Sequence, residues 1–88
     1  MSKLGLDPVG VRNLVSLLNS KADEIDAIRS LLTNQLLNVW WEGNDAVNFR
    51  NEWDSMHSVQ LSHVAAALRD ASTRANSNVM QQETASGS

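Results

Sequence analysis

Few residues in this sequence have the types and spacing that chemistry requires. The two histidines, His57 and His63, are six residues apart, which puts them on opposite sides of a helix, whereas a helical metal pair is spaced by four. The carboxylates of Asp23, Glu24 and Asp26 lack the oxygen-ligand pattern of a calcium loop, so we expect a solvated helix face. No catalytic triad, phosphate loop or nucleotide motif can be assembled. The sequence therefore predicts a protein that is not an enzyme and holds no metal or cofactor.

Composition narrows the class of protein further. The chain has 88 residues, of which 42% are hydrophobic, with a net charge of −3 and no cysteine. This length corresponds to one domain. The acidic balance argues against a nucleic-acid partner, which needs a basic face, and does not favour contact with an anionic membrane. The absence of cysteine excludes disulfides and thiol chemistry.

Apolar residues recur at intervals of three and four along two long stretches, which is typical of amphipathic helices. Asp7-Pro8 is a helix start, since aspartate accepts hydrogen bonds from free amides and proline suits the first helical position. A very short connection between two such helices forces an antiparallel hairpin. The predicted segments are an N-terminal arm at 1–7, a helix at about 8–40, a turn at about 41–45, a helix at about 46–80 and a flexible tail at 81–88.

The apolar surface of the two helices is wider than one seam requires. The main apolar row of the first helix extends through Leu32 to Val39. The main apolar row of the second helix contains Phe49, Trp53, Met56 and Val64. A neighbouring row on the second helix contains Leu61, Ala65 and Leu68. Exposed apolar patches of this length are avoided by soluble monomers, so we predict that two hairpins pair into a four-helix bundle dimer. The predicted hairpin or dimer interface residues are Leu14, Leu18, Ile25, Ile28, Leu32, Phe49, Trp53, Met56, Val64 and Leu68.

The helical pattern breaks at Trp41-Glu42-Gly43. Gly43 can take the left-handed conformation that ends a helix, and it suits a tight reversal that a side chain would obstruct. Asn44 or Asp45 is expected to cap the second helix. Neighbouring helical residues point about 100° apart, so Trp40 and Trp41 cannot both face one seam. We expect Trp40 to cap the hairpin or join its core. For Trp41 two roles stay open, an anchor for another chain or a cap on the bundle end.

A Trp-X-Gly triplet in the middle of a short acidic chain, between two helices and followed by Phe49 and Trp53, resembles the Trp-X-Gly (WXG) family. Its members are early-secretory-antigen-like substrates and partners of type VII secretion in Gram-positive bacteria. The resemblance covers nearly the whole chain. It implies an antiparallel dimer of helical hairpins that an ATPase-driven membrane machine exports. It also implies that Trp41 and Gly43 form the turn half of a bipartite secretion signal.

The other half of that signal, in the family, is a Tyr-x-x-x-Asp/Glu motif on the partner's C-terminal tail. This chain contains no tyrosine, so the motif is absent from it. Two explanations stay open. Either a partner chain supplies the tail motif, or this chain uses another tail signal, involving Val79 and Glu83.

The resemblance implies a small secreted or co-secreted protein that acts by protein–protein interaction, with a role in virulence or interbacterial competition. It would be made in the cytoplasm and leave by a leaderless route. Its implied partners are itself or a second small helical WXG-family chain, a larger effector or toxin, and the secretion-system ATPase. One alternative is a cytoplasmic adaptor or chaperone that binds the helical domain of a larger secreted effector and targets it to the ATPase. A membrane-active effector is a third, for which the sequence offers little.

Overall fold

Two antiparallel helical arms make up residues 5–87, the part of the chain that the computed structural model describes. The first arm is helix α1 (Pro8–Asn38); the second consists of α2 (Asn44–Glu52), a π-helical turn (Trp53–His57) and α3 (Ser58–Gly87). The arms lie side by side in a rod of 69 × 17 × 13 Å. The predicted all-α class and antiparallel hairpin are confirmed.

The first helix begins and ends at local signals. Asp7 is the N-cap and Pro8 occupies the first turn, although the Asp7 side chain makes no capping hydrogen bond. The helix ends at Asn38, because Val39 takes an extended backbone conformation with ψ of 137°. The connection to α2 is therefore residues 39–43, slightly earlier than predicted. Of the predicted N-terminal arm, residues 1–4 lie outside the described part of the chain.

The second arm continues to Gly87, past its predicted end near residue 80. The segment predicted as a flexible tail is thus helical as far as residue 87. Two contacts join this segment to the start of the chain: Arg12 pairs with Glu83, and the Gly5 backbone N–H donates to the Gln82 side chain at 3.4 Å. The polar composition of the tail does not reveal these partners, because they lie more than 70 residues away.

Small side chains form the seam between the two arms. The fully buried residues are Ala22, Ala46, Ala65 and Val79, and Ser72 is 3% exposed. The Ser72 hydroxyl donates to the Val15 carbonyl at 3.4 Å, which satisfies a polar group in the seam. Apart from Val79 the buried side chains are short, so this core is thin, and the larger apolar side chains are half-buried at its edges.

The π-helical turn changes which row of the second arm faces α1. The Ser58 N–H donates to the carbonyl of Trp53, five residues back, where an α-helix would use four. The extra residue rotates the following helix by about 100°. The main row predicted from Trp53 through Val64 therefore turns outward after Trp53, and Met56 and Val64 are 45% and 47% exposed. The neighbouring row faces α1 instead, through Leu61, Ala65 and Leu68.

One side of the hairpin carries the ion pairs between the arms, and we call it the charged side. Arg69 donates to Asp23 at 2.9 Å and to Asp26 at 2.7 Å, and Arg12 pairs with Glu83. Arg12 and Asp26 are two heptads apart on α1, as are Arg69 and Glu83 on α3, so both contacts lie along the same side. The hydrogen bonds to Asp23 and then Asp26 raise the pKa of Arg69 above its usual value, because they favour the charged guanidinium.

Candidate functional site: the apolar face and the turn

The ten predicted interface residues divide into two groups. Four of them are half-buried between the arms: Leu18, Ile25, Trp53 and Leu68. The other six are 45–49% exposed: Leu14, Ile28, Leu32, Phe49, Met56 and Val64. Contact within the hairpin therefore accounts for only part of the apolar surface that the sequence provides.

The exposed group lies opposite the charged side. Leu14 and Val64 each immediately precede a residue of the seam, whereas Asp26 and Arg69 each follow one. In antiparallel helix pairs, positions before and after the seam residues flank it on opposite sides. We call the surface formed by Leu14, Leu17, Ile28, Leu31, Leu32 and Val64 the apolar face.

An open apolar pocket of about 330 Å³ lies at the turn end of the hairpin. Trp41 and Phe49 form one wall, with ring centroids 5.2 Å apart and planes tilted by 52°. Trp53 is fixed beside them, because its indole N–H donates to the Thr33 hydroxyl at 2.9 Å. The lining residues are Leu32, Gln35, Leu36, Val39, Trp41, Phe49 and Trp53.

The two adjacent tryptophans have different environments. Trp40 is 84% exposed, and its indole N–H donates to the Glu42 carboxylate at 3.2 Å. The predicted cap or core role of Trp40 is therefore wrong, because α1 ends at Asn38 and the Trp40 side chain extends into solvent. Trp41 is 37% exposed, with one part against Phe49 and the rest open to the pocket.

Gly43 reverses the chain through its backbone torsions. Its φ of 109° and ψ of 178° lie in a region that only glycine adopts readily. The positive φ agrees with the predicted use of glycine's conformational freedom, although Gly43 begins α2 and does not end α1. The other predicted reason, obstruction by a side chain, is wrong, because a Cβ atom there would meet nothing within 4 Å. Gly43 itself is the N-cap of α2, without a side-chain hydrogen bond, which also corrects the predicted capping by Asn44 or Asp45.

The Arg50 side chain binds backbone carbonyls at and just beyond the end of α1, a role that the sequence did not predict. Its spacing to Asp54 favours a surface ion pair, but its guanidinium instead donates to the carbonyls of Trp41 at 2.9 Å, Val39 at 3.3 Å and Leu36 at 3.4 Å. Leu36 belongs to the last turn of α1, whose carbonyls lack partners within the helix, and the Val39 and Trp41 carbonyls lie in the connection that follows. The signal for this role is its position four residues after the buried Ala46, on the inner side of α2.

We expect Arg50→Ala to lower the free energy of unfolding by about 1–2 kcal/mol, because charged hydrogen bonds to three carbonyls are lost. Arg50→Lys keeps the charge but not the forked geometry, so we expect an intermediate loss. Urea unfolding followed by circular dichroism measures both. Equal midpoints for Arg50→Ala and the wild type would contradict this role.

Comparisons with models of known protein families, with characterised proteins and with solved structures give no significant match. Across the described residues, no helix combines the length and apolar character that crossing a bilayer requires. The candidate site is an apolar face on one side of the rod, with an aromatic pocket at one end.

Proposed function

We propose that this chain is a small helical-hairpin protein of the WXG type that works by protein–protein interaction, as a dimeric export substrate or partner in type VII secretion. The observation that carries the proposal is the open aromatic pocket at the Trp41-Glu42-Gly43 turn. A bundle end that served only to close the hairpin would bury these rings. Here Trp41 and Phe49 remain 37% and 45% exposed.

The apolar face supports the same function. Leu14, Leu17 and Leu31 are 47%, 52% and 68% exposed along one side of the rod. A large exposed apolar surface typically marks an interaction site. Because each of these side chains is already partly buried, burial by a partner contributes less than the roughly 1.5–3 kcal/mol of a fully exposed side chain, before the cost of association is subtracted. The rod thus offers a partner a long contact along its side and an anchor point at its end.

The adjacent tryptophans provide a matched test in a host that has the secretion system. We expect Trp41→Ala to reduce the secreted fraction at least roughly tenfold, since a central aromatic anchor contributes about 2 kcal/mol or more to recognition. Trp40→Ala removes the same side chain one residue away and should be exported as the wild type is. Circular dichroism verifies that both variants fold. Wild-type export of Trp41→Ala would refute the role of the turn.

The absence of tyrosine favours a second candidate, an adaptor that stays in the cytoplasm and delivers a larger effector. A chain without its own tail motif would depend on a partner to reach the ATPase. In that case the effector would appear in the culture medium while this chain remained in the cell fraction. Immunoblots of both fractions distinguish the two candidates.

A further inference from the structure

The outer surface of α1 carries a row of six side chains spaced alternately by three and four residues, which places them along one helical stripe. We call it the outer row: Leu14, Leu17, Lys21, Glu24, Ile28 and Leu31. Its four apolar members are 47–68% exposed. The Lys21 and Glu24 side chains, which pair at 2.9 Å, are 57% and 56% exposed. No member of the row is covered by the hairpin itself.

The outer row of one copy is complementary to the outer row of a second copy that runs in the opposite direction. When a second copy runs antiparallel about a two-fold axis between Ala22 and Asp23, position 14 meets position 31, and position 17 meets position 28. Leucine or isoleucine then faces leucine or isoleucine at both ends of the row. At the centre, position 21 meets position 24, so each lysine faces a glutamate of the other copy.

We propose that the second hairpin of the dimer is another copy of this chain, packed antiparallel through the outer row. A two-fold interface uses the same patch on both copies, and this patch meets the requirement in both charge and apolarity. The two Lys21–Glu24 pairs come together as four alternating charges around the axis. A parallel arrangement would place Lys21 of one copy against Lys21 of the other, and repulsion between the like charges disfavours that arrangement.

The dimensions of the rod agree with such a pair. The axis falls at the middle of Pro8–Asn38, so the two copies overlap along the whole of α1. The 31 residues of α1 are about 46 Å long, so this side of a rod 17 Å wide offers an area close to the roughly 800 Å² per partner of a standard interface. The inference rests on the proposed function only in taking the outer surface of the hairpin as a protein-binding surface.

Charge variants of the full chain test the register. We expect light scattering and sedimentation to show a wild-type dimer, and Lys21→Glu and Glu24→Lys each to weaken it roughly tenfold or more, because like charges then meet at the axis. An equimolar mixture of the two variants should restore a dimer of near wild-type affinity. Each variant also loses the Lys21–Glu24 pair within its own chain, and mixing does not restore that pair. Recovery of dimer affinity in the mixture therefore reports on the contact between the two copies.

Cysteine pairs test the direction of packing, which is convenient because the chain has no cysteine of its own. Under mild oxidation the double variant Leu17→Cys/Ile28→Cys should form a covalent dimer, and Leu17→Cys alone should not. Positions 17 and 28 are about 16 Å apart along one helix, too far for a disulfide within one chain. Efficient cross-linking of Leu17→Cys alone would indicate parallel packing and overturn the proposal.

A wild-type chain that stays monomeric in the high micromolar range, or a dimer indifferent to both charge variants, would also overturn the proposal. These results are distinguishable from failure of the proposed function. A monomeric chain whose export still depends on Trp41 would refute only the pairing of two copies. A dimer in this register whose export does not depend on Trp41 would refute only the secretion role of the turn.

Discussion

Ala65→Leu is expected to lower the free energy of unfolding by about 3 kcal/mol, the upper part of the range for overpacking a tight core. Ala65 is fully buried in the seam, where α1 and α3 approach each other across small side chains. A leucine needs space that only separation of the helices provides. That separation also lengthens the hydrogen bonds from Arg69, one turn further along α3, to Asp23 and Asp26.

Thermal unfolding gives the direct measurement. For a domain of this size, a loss of about 3 kcal/mol corresponds to a fall in Tm of roughly 10 °C or more. The adjacent Ala66 is exposed, and leucine is nearly as good a helix former as alanine, so Ala66→Leu should leave the Tm almost unchanged. If both variants had similar Tm values, the close packing of the seam at Ala65 would be wrong.

Gly43→Ala is expected to lower the free energy of unfolding by about 2 kcal/mol, the cost of holding a non-glycine residue in this backbone region. The loss comes from φ of 109° alone, since the space around the site is open. Gly43→Val should be worse, because branching at Cβ restricts the backbone further. The effect is measurable by urea denaturation with tryptophan fluorescence, since Trp41 lies two residues before the substitution.

Gly5→Ala is the matched control for this prediction. A Cβ atom at Gly5 would also meet nothing within 4 Å, but the backbone of Gly5 lies outside the positive-φ region. We therefore expect no change in the unfolding midpoint. Equal stability of Gly43→Ala and Gly5→Ala would show that the turn relaxes at no cost. Because Gly43→Ala perturbs the fold, Trp41→Ala is the cleaner probe of export.

The class of fold follows from signals that are local in the sequence. The three- and four-residue spacing of apolar residues, Asp7-Pro8 and the interruption at Gly43 specify two helices and a short connection. Each depends on the geometry of a single helix or turn, and not on distant residues. The surplus of apolar surface is also readable, since it follows from the width of the stripes.

Only the tertiary structure decided which apolar row forms the seam. The π-helical turn at Trp53–His57 inserts one residue into the second arm, and composition gives no sign of it. After that turn every position rotates, so Ala65 is buried and Val64 is exposed. A period read from the sequence assumes a regular helix and therefore assigns these neighbouring residues to the wrong sides.

The surroundings of the residues at the turn likewise depend on contacts between residues that are distant in the sequence. Trp40 and Trp41 are the same residue type side by side, yet only Trp41 packs on Phe49, because the extended chain after Asn38 points Trp40 into solvent. Arg50 acts through carbonyls nine to fourteen residues earlier in the chain. The sequence alone determined that this protein is a helical hairpin with apolar surface to spare. The tertiary structure decided where that surface lies, because the relative rotation of two packed helices depends on every residue between them.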